Sequence, residues 1–218
     1  MTGLRFQHYD WAGGREAMLR FGPDTGPIVL AALPLFEEAN RTRQFACTIL
    51  RALAGYGIGS VLPDFPGTGE SIVATADATV SDQRQAYIGL AQQLGVDTYA
   101  LSIRSGALLD GDATLAGRWQ LSPQSGEELV RDLERARAAA GKPEGEYAGN
   151  RLSPERLAAL RDAVPRGDGR CRIIRLETDP RVADATYPGA PLWRRSEPDN
   201  NIELAQKLAA DIAHWIAA

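Results

Sequence analysis

The chain has 218 residues, which is long enough for one domain with a sizeable buried core and too short for a second catalytic domain. With 44% hydrophobic and 24% charged residues, its composition is typical of a globular protein. The formal net charge of −4 provides no global basic field, which argues against nucleic acid and anionic membranes as partners.

Membrane and export signals are also missing from the sequence. The longest apolar run, Ile28–Phe36, is interrupted by Pro34 and is too short to span a bilayer. The amino terminus lacks the apolar core of a signal peptide. Cys47 and Cys171 are far apart and fit neither a metal-ligand spacing nor a disulfide framework. We therefore expect a cytoplasmic protein without membrane insertion.

The first part of the chain predicts a hairpin, a buried strand and a helix. Loose alternation separated by turn residues predicts an opening hairpin, Leu4–Tyr9 and Glu16–Phe21. The continuous apolar run Pro27–Leu33 predicts a central strand covered on both faces. A helix follows, for which Asn40 is the expected cap and Gly55 the expected end.

The alternation of strands and helices continues to the carboxyl end. The further predicted strands are Ile58–Leu62, Thr98–Ile103, Arg118–Leu121, Arg172–Leu176 and a short Leu192–Arg194. The further predicted helices are Ser81–Leu94, one beginning at Gly106–Leu109, Glu127–Ala140, Pro154–Val164 with a Ser153 cap, and Ile202–Ala217. The Gly-rich segment Gly141–Gly149 is predicted as a mobile loop.

This order predicts an α/β fold with a mostly parallel sheet of about eight strands and helices on both faces. The sheet is expected to be antiparallel at its amino-terminal edge, because the chain opens with a hairpin. We expect a single domain over residues 1–218 with no large cap domain. Residues 122–170 form a helical insertion that is expected to cover the site.

The glycine clusters do not match nucleotide-binding loops. Gly67 and Gly69 lack the third glycine of a dinucleotide fingerprint, and Gly141-Lys142 is followed by proline instead of the Ser or Thr of a phosphate loop. We therefore expect no cofactor, and no metal site is indicated.

Two segments resemble the α/β-hydrolase superfamily. The run Ala100–Leu109 (ALSIRSGALL) joins a predicted strand to a predicted helix through one sharp turn, with the small Ser102 and Gly106 where a nucleophile elbow needs small residues. The loop Pro63–Ser71 (PDFPGTGES) resembles the D-x-x-G-x-G-x-S segment of that superfamily. The resemblance implies an α/β-hydrolase-like fold.

Further segments resemble a narrower group, the hydrolase 2 type of proteins that accompany exosortase A systems in bacterial exopolysaccharide gene clusters. The residues carrying this resemblance are Pro34–Arg43, Ile103–Leu109, Arg118–Gln120, Tyr147–Gly149, Leu152–Pro154 and Gly189–Trp193. They are spread over most of the chain in a consistent order. The resemblance implies an accessory or ligand-binding role in exopolysaccharide or protein-sorting systems.

The residues expected to carry hydrolysis are replaced. If Gly106 stands for the last glycine of G-x-S-x-G, the nucleophile position is Arg104, whose protonated guanidinium cannot attack a carbonyl. Asp179 has a plausible position for the acid of a triad, with Glu177 as its rival.

The base of a triad is missing from its expected place. The loop Ser196–Asn201, where the superfamily carries its histidine, contains none. The two histidines of the chain are His8, in the first predicted strand, and His214, near the end of the closing helix. Each is more readily explained as a structural residue than as a catalytic base.

Two hypotheses remain for Arg104. In the first, it binds a carboxylate, phosphate or uronic-acid group of a small anionic or acyl ligand together with Ser105 and Gly106, with Phe36 and Asp64 at the same site. In the second, which we favour, Arg104 pairs internally with a carboxylate and fills the former site. The candidate partners are Asp179, Glu37, Glu38 and Asp64.

Two other function classes stay open. An active esterase or thioesterase would use Ser102 or Ser105 as nucleophile, with Asp179, in a non-standard arrangement. A scaffolding protein would dock an unidentified protein partner through the sheet or the Arg-rich helix Glu127–Ala140, although a solvated charged face is the more usual explanation of such a helix.

Overall fold

A computed structural model of the chain describes residues 3–95 and 97–218, and within them a sheet of eight strands lies between helices on both faces. The strands are β1 (Arg5–Trp11), β2 (Gly14–Phe21), β3 (Ile28–Ala32), β4 (Gly59–Pro63), β5 (Thr98–Ile103), β6 (Gly117–Leu121), β7 (Glu146–Tyr147), β8 (Asn150–Arg151), β9 (Cys171–Leu176) and β10 (Ala185–Tyr187). The α-helices are α1 (Glu37–Ala54), α2 (Val80–Leu94), α3 (Gly126–Ala139), α4 (Pro154–Arg161) and α5 (Ile202–Ala217).

The sheet order is β1-β2-β4-β3-β5-β6-β9-β10. The hairpin β1–β2 and the pair β2–β4 are antiparallel, and every other neighbouring pair in this sheet is parallel. The short strands β7 and β8 form a separate hairpin. The predicted α/β fold with an antiparallel amino-terminal edge is therefore confirmed.

Alternation along the central strands supplies two apolar layers. Val29 and Ala31 of β3 pack with α1 and α5, whereas Leu30 and Ala32 pack with α2, α3 and α4. A strand with both faces covered reads as a continuous apolar run, which is why Pro27–Leu33 was recognisable in the sequence.

Four local predictions are wrong. Asn40 does not cap α1, which begins three residues earlier after Phe36 and has no side-chain cap. Gly106–Leu109 does not begin an α-helix, because Arg104–Leu108 forms a short 3-10 helix and the chain then turns toward β6. Leu192–Arg194 is likewise a 3-10 helix instead of a strand. The eighth strand of the sheet is instead β10. The fourth prediction was a loop over Gly141–Gly149, and part of that segment is the strand β7.

The parallel arrangement places the candidate residues along one edge of the sheet. The carboxyl ends of β3, β4, β5, β6 and β9 all point the same way, so the loops that follow these strands meet. Residues 122–170, between β6 and β9, contribute α3, the hairpin β7–β8 and α4. None of the helices in the described ranges is long and apolar enough to cross a bilayer.

Candidate functional site

The turn after β5 carries Arg104 in a strained backbone conformation. Arg104 directly follows β5 and has a φ of 54°, a left-handed conformation that non-glycine residues rarely adopt. A Cβ on Gly106 would lie 2.4 Å from the carbonyl oxygen of Ala32 and 2.7 Å from that of Leu33. Only glycine therefore lets the turn pass so close to the end of β3.

Residues from three segments surround the Arg104 side chain, which is only 7% exposed. Its Nε donates to Oε2 of Glu38 in α1 at 3.2 Å, and its Nη2 lies 3.8 Å from Oδ2 of Asp132 in α3. The guanidinium carbon lies 5.3 Å from the centre of the Trp193 ring. The cation is thus paired within the protein, as in the second hypothesis.

The electrostatics of Glu38 agree with a shielded ion pair. Burial raises the pKa of the Glu38 carboxyl, and the neighbouring Arg104 offsets only part of that rise. Glu38 is one of the four partners predicted for Arg104 from the sequence. Asp132 is not among them, because a charged residue on an amphipathic helix resembles part of a solvated face.

Two of the other three candidate carboxylates, Asp64 and Glu37, pair with other arginines. Asp64 accepts from Nη1 of Arg43 at 3.0 Å. Glu37 pairs with Arg41 at 2.5 Å, one turn further along α1. Each of these carboxylates is therefore neutralised by a cation other than Arg104.

Asp179 lies just after β9 and is held by two arginines. It accepts from Arg181 at 2.9 and 2.8 Å and from Arg175 at 2.8 Å. The Arg181 and Arg175 guanidinium groups hold the pKa of Asp179 well below its usual range. Glu177, its rival, is exposed. Asp179 is thus a permanently ionised partner of arginine.

Both serines beside Arg104 are fully buried and already hydrogen-bonded. The Ser102 Oγ donates to Oδ2 of Asp110 at 3.1 Å, on the face of the sheet covered by α2, α3 and α4. The Ser105 Oγ accepts from the backbone N–H of Leu35 at 2.9 Å. Neither hydroxyl is presented to a substrate in this arrangement.

The two histidines lie far from Arg104. His8 is exposed on β1, four strand spacings from β5, which corresponds to about 19 Å. His214 is exposed near the end of α5 and borders a trough with Pro27 and Asp97, which precede β3 and β5. Because Arg104 follows β5, His214 is at the opposite end of a strand about 20 Å long.

An open cleft of about 360 Å³ lies over Arg104, and we call it the Arg104 cleft. Five arginines and three acidic residues border it, including Asp132 and Asp179. The arginines are Arg104, Arg131, Arg135, Arg181 and Arg194. The cleft is bounded by α3 from the predicted insertion and by the segments that follow β9.

A second cleft, of about 270 Å³, contains Phe36 and Arg156, and we call it the Arg156 cleft. It shares no lining residue with the Arg104 cleft. Polar side chains form much of its wall, namely Asn40, Thr68, Thr75, Gln83 and Asn150. Nothing in the sequence marked Arg156, because α4 has no clear apolar stripe that would identify its buried face.

The five predicted ligand-binding residues do not surround one cavity. Arg104 borders its own cleft, whereas Phe36 borders the Arg156 cleft. Asp64 lines a narrow void of about 60 Å³ beside that second cleft. Ser105 and Gly106 are buried in the turn after β5 and line none of these three spaces. Across residues 3–95 and 97–218, no cluster of three or more His, Cys, Asp or Glu side chains could hold a metal ion.

Comparison with solved structures identifies the fold. Est1E from Butyrivibrio proteoclasticus, solved with ferulic acid bound, has a TM-score of 0.67 at 15% identity and is covered over 100% of its length by 97% of this chain. Epoxide hydrolase A from Mycobacterium thermoresistibile has a TM-score of 0.63 at 15% identity, with 99% of each chain covered. An epoxide hydrolase mutant from Vigna radiata has a TM-score of 0.61 at 14% identity, with 98% of each chain covered.

The chain therefore has the α/β-hydrolase fold. At these identities the likeness establishes the fold and leaves the chemistry to be argued from the site. No protein-family model matches the chain, and no curated protein matches it either.

Proposed function

We propose that this protein is a non-hydrolysing relative of the α/β-hydrolases that binds a small ligand in an accessory role. The observation that carries the proposal is Arg104 at the tip of the elbow, paired with Glu38 and packed on Trp193. Triad hydrolysis in this fold needs a nucleophile at that tip and an imidazole in hydrogen-bond reach of it. Here a guanidinium fills the position, and both imidazoles of the chain are about 20 Å away.

The competing function is an active esterase or thioesterase that uses Ser102 or Ser105. The burial of both hydroxyls and their bonds to Asp110 and Leu35 speak against it. Either serine would have to break its hydrogen bond and turn outward before it could attack a bound ester.

Covalent labelling separates the two functions. The protein is incubated with a reactive fluorophosphonate and examined by intact mass, and p-nitrophenyl acetate hydrolysis is followed in parallel. We expect no adduct and a hydrolysis rate equal to that in buffer, with an active esterase of this fold labelled alongside as the positive control. A stoichiometric adduct that is lost in Ser102→Ala or Ser105→Ala would establish the esterase instead.

The setting that we propose is a bacterial exopolysaccharide or protein-sorting system in the cytoplasm. The segments that resemble exosortase A-associated hydrolases occur in a consistent order along the chain, which supports this setting. The free thiols of Cys47 and Cys171 fit a reducing compartment. Deleting the protein from its bacterium should alter exopolysaccharide output. Wild type and the Ser102→Ala/Ser105→Ala double variant should restore it equally, and a folded double variant that fails to do so would contradict a non-hydrolytic role.

A further inference from the structure

Arg156 is a buried arginine without a carboxylate partner. The residue is 8% exposed, and across the described part of the chain no acidic side chain lies within ion-pair distance of it. Its one hydrogen bond runs from Nη1 to the carbonyl oxygen of Thr75, and its Nε is buried without a partner. The charge of Asp82 influences Arg156 from a longer distance, but the Asp82 carboxylate accepts hydrogen bonds from Thr79 in the cap of α2.

This situation is unlike that of Arg104. A guanidinium removed from water is costly unless a counter-charge or several hydrogen bonds compensate it. Glu38 and Asp132 supply that compensation to Arg104, whereas Arg156 has a single carbonyl and the face of the Phe36 ring at 5.7 Å. Burial lowers the pKa of Arg156, but the group remains charged at neutral pH.

The surroundings of Arg156 are those of a small binding site. The cleft has a volume of about 270 Å³, and Arg156 is its one basic side chain. Gln83, which also lines it, is 2% exposed, and its Oε1 is buried without a hydrogen-bond partner. Glu37 at the border is already neutralised by Arg41.

We infer that the Arg156 cleft binds a small carboxylate that also carries a hydroxyl group, such as a hydroxy acid or a sugar acid. This inference deepens the proposed function by naming the class of ligand. The carboxylate would pair with the Arg156 guanidinium, and the hydroxyl would hydrogen-bond to the polar side chains that line the cleft, among them Asn40. A singly charged carboxylate matches one guanidinium, whereas a phosphate dianion would need further cations than this cleft contains.

The rim and volume of the cleft limit the size of the ligand. Phe36 has a φ of 61°, and its ring lies against the guanidinium on one side of the cleft. Ala148, at the start of the β7–β8 turn, has a φ of 47° and closes another side. The volume is below that of pockets for drug-sized molecules, so a monosaccharide acid is near the upper limit.

Calorimetric titration tests the inference with three probes that carry both groups, namely glycolate, lactate and D-glucuronate. We expect at least one of them to bind at millimolar concentration, and D-glucose and inorganic phosphate to bind at least tenfold more weakly. Failure of all three probes to bind would overturn the inference. Tighter binding of phosphate than of all three would overturn it as well.

Variants place the ligand in the cleft. Arg156→Met should weaken binding by roughly tenfold to a hundredfold and leave the melting temperature unchanged or raised, because it removes an uncompensated charge. Arg161→Met is the matched control on the same helix, since Arg161 pairs with Glu134 at the surface, and it should bind like wild type. Gln83→Glu is a second variant that should weaken binding by repelling the carboxylate.

The outcomes separate this inference from the proposed function. Unchanged binding in both Arg156→Met and Gln83→Glu would overturn the inference, and so would a loss of binding confined to Arg104→Met. In either case, the absence of fluorophosphonate labelling would still support a non-hydrolysing protein. Conversely, a labelled protein that binds D-glucuronate through Arg156 would overturn only the proposed function.

Discussion

Arg104 has a strained backbone conformation directly after β5. A left-handed conformation costs a non-glycine residue about 1–2 kcal/mol, and it persists because the bend from β5 past the carbonyls of Ala32 and Leu33 imposes it. In a nucleophile elbow, a strained turn exposes a hydroxyl to the substrate. In this protein the residue with the strained backbone carries a guanidinium that pairs with Glu38.

The substitution Arg104→Met tests the importance of that pair. We expect a loss of about 2–4 kcal/mol in unfolding free energy at pH 7, because Glu38 stays largely buried without its cation. The pKa of Glu38, already raised, rises further in the variant, so the folded state binds the proton more tightly than the unfolded chain. Stability is then regained as the pH falls, and urea unfolding at about pH 7 and about pH 5 should show a smaller loss at the lower pH.

The matched control for this substitution is Arg195→Met. Arg195 pairs with Asp199 four residues away at the surface, where ion pairs contribute less than about 1 kcal/mol. Equal losses in the two variants, or a loss in Arg104→Met that does not depend on pH, would contradict the description of the Arg104–Glu38 pair as shielded.

The contact between α3 and α4 fixes the position of both clefts. The backbone N–H of Gly126, at the start of α3, donates to the carbonyl of Ala163 at 2.8 Å. A Cβ on Gly126 would lie 1.6 Å from the carbonyl oxygen of Leu160. Asp132 of α3 lines the Arg104 cleft and Arg156 of α4 lines the Arg156 cleft. The spacing between the two helices therefore affects the position of both side chains.

The substitution Gly126→Ala should therefore destabilise the protein by about 1–3 kcal/mol. Helix propensity alone would give the opposite sign, since alanine is about 1 kcal/mol more favourable than glycine within a helix. Thermal and urea unfolding measure the change. Gly167→Ala is the control, because a Cβ there meets nothing within 4 Å, and it should stay within about 0.5 kcal/mol of wild type. A neutral Gly126→Ala would show that α3 and α4 do not pack this closely.

The fold of the whole molecule buries an ionisable group, the Asp110 carboxyl, against one face of the sheet. Asp110 is fully buried, accepts from Ser102, and lies 3.5 Å from Nε of Arg118 in β6. Burial raises the pKa of Asp110 to about 6, with Arg118 and Ser102 offsetting part of the rise. A carboxyl with a raised pKa in the folded state makes the folded molecule more stable in acid than at neutral pH.

We predict that Asp110 makes the unfolding free energy fall as the pH rises from about 4 to about 6, by up to about 3 kcal/mol. Unfolding of wild type and Asp110→Asn across this range measures the contribution as the pH-dependent difference between them. Asp112→Asn, at an exposed neighbouring position, is the control and should follow the wild-type profile. A difference that is flat with pH would show that Asp110 titrates alike in the folded and unfolded states.

Local pattern was sufficient for most of the architecture. The apolar runs of β3 and β5 and the apolar stripe of α5 each occur within one element, so the sequence predicted them close to their observed ends. The short strand β10 was missed, and the 3-10 helix Leu192–Arg194 was predicted as a strand, because so few residues carry no readable period. Asn40 was wrongly predicted as the cap of α1, because the first residue of a helix depends on the conformation of the preceding loop, which the sequence pattern does not reveal.

At the candidate site, too, some features follow from the local sequence and others only from the tertiary structure. The position of Arg104 directly after a buried strand was evident from the sequence alone, because strand and turn are consecutive in the chain. The choice of Glu38 and Asp132 as partners of Arg104, and the burial of Arg156 beside Phe36, depended on the tertiary structure. Periodicity shows which side of an element is buried, but it does not show which elements pack against one another, and it is that packing which decides whether a buried charge has a partner.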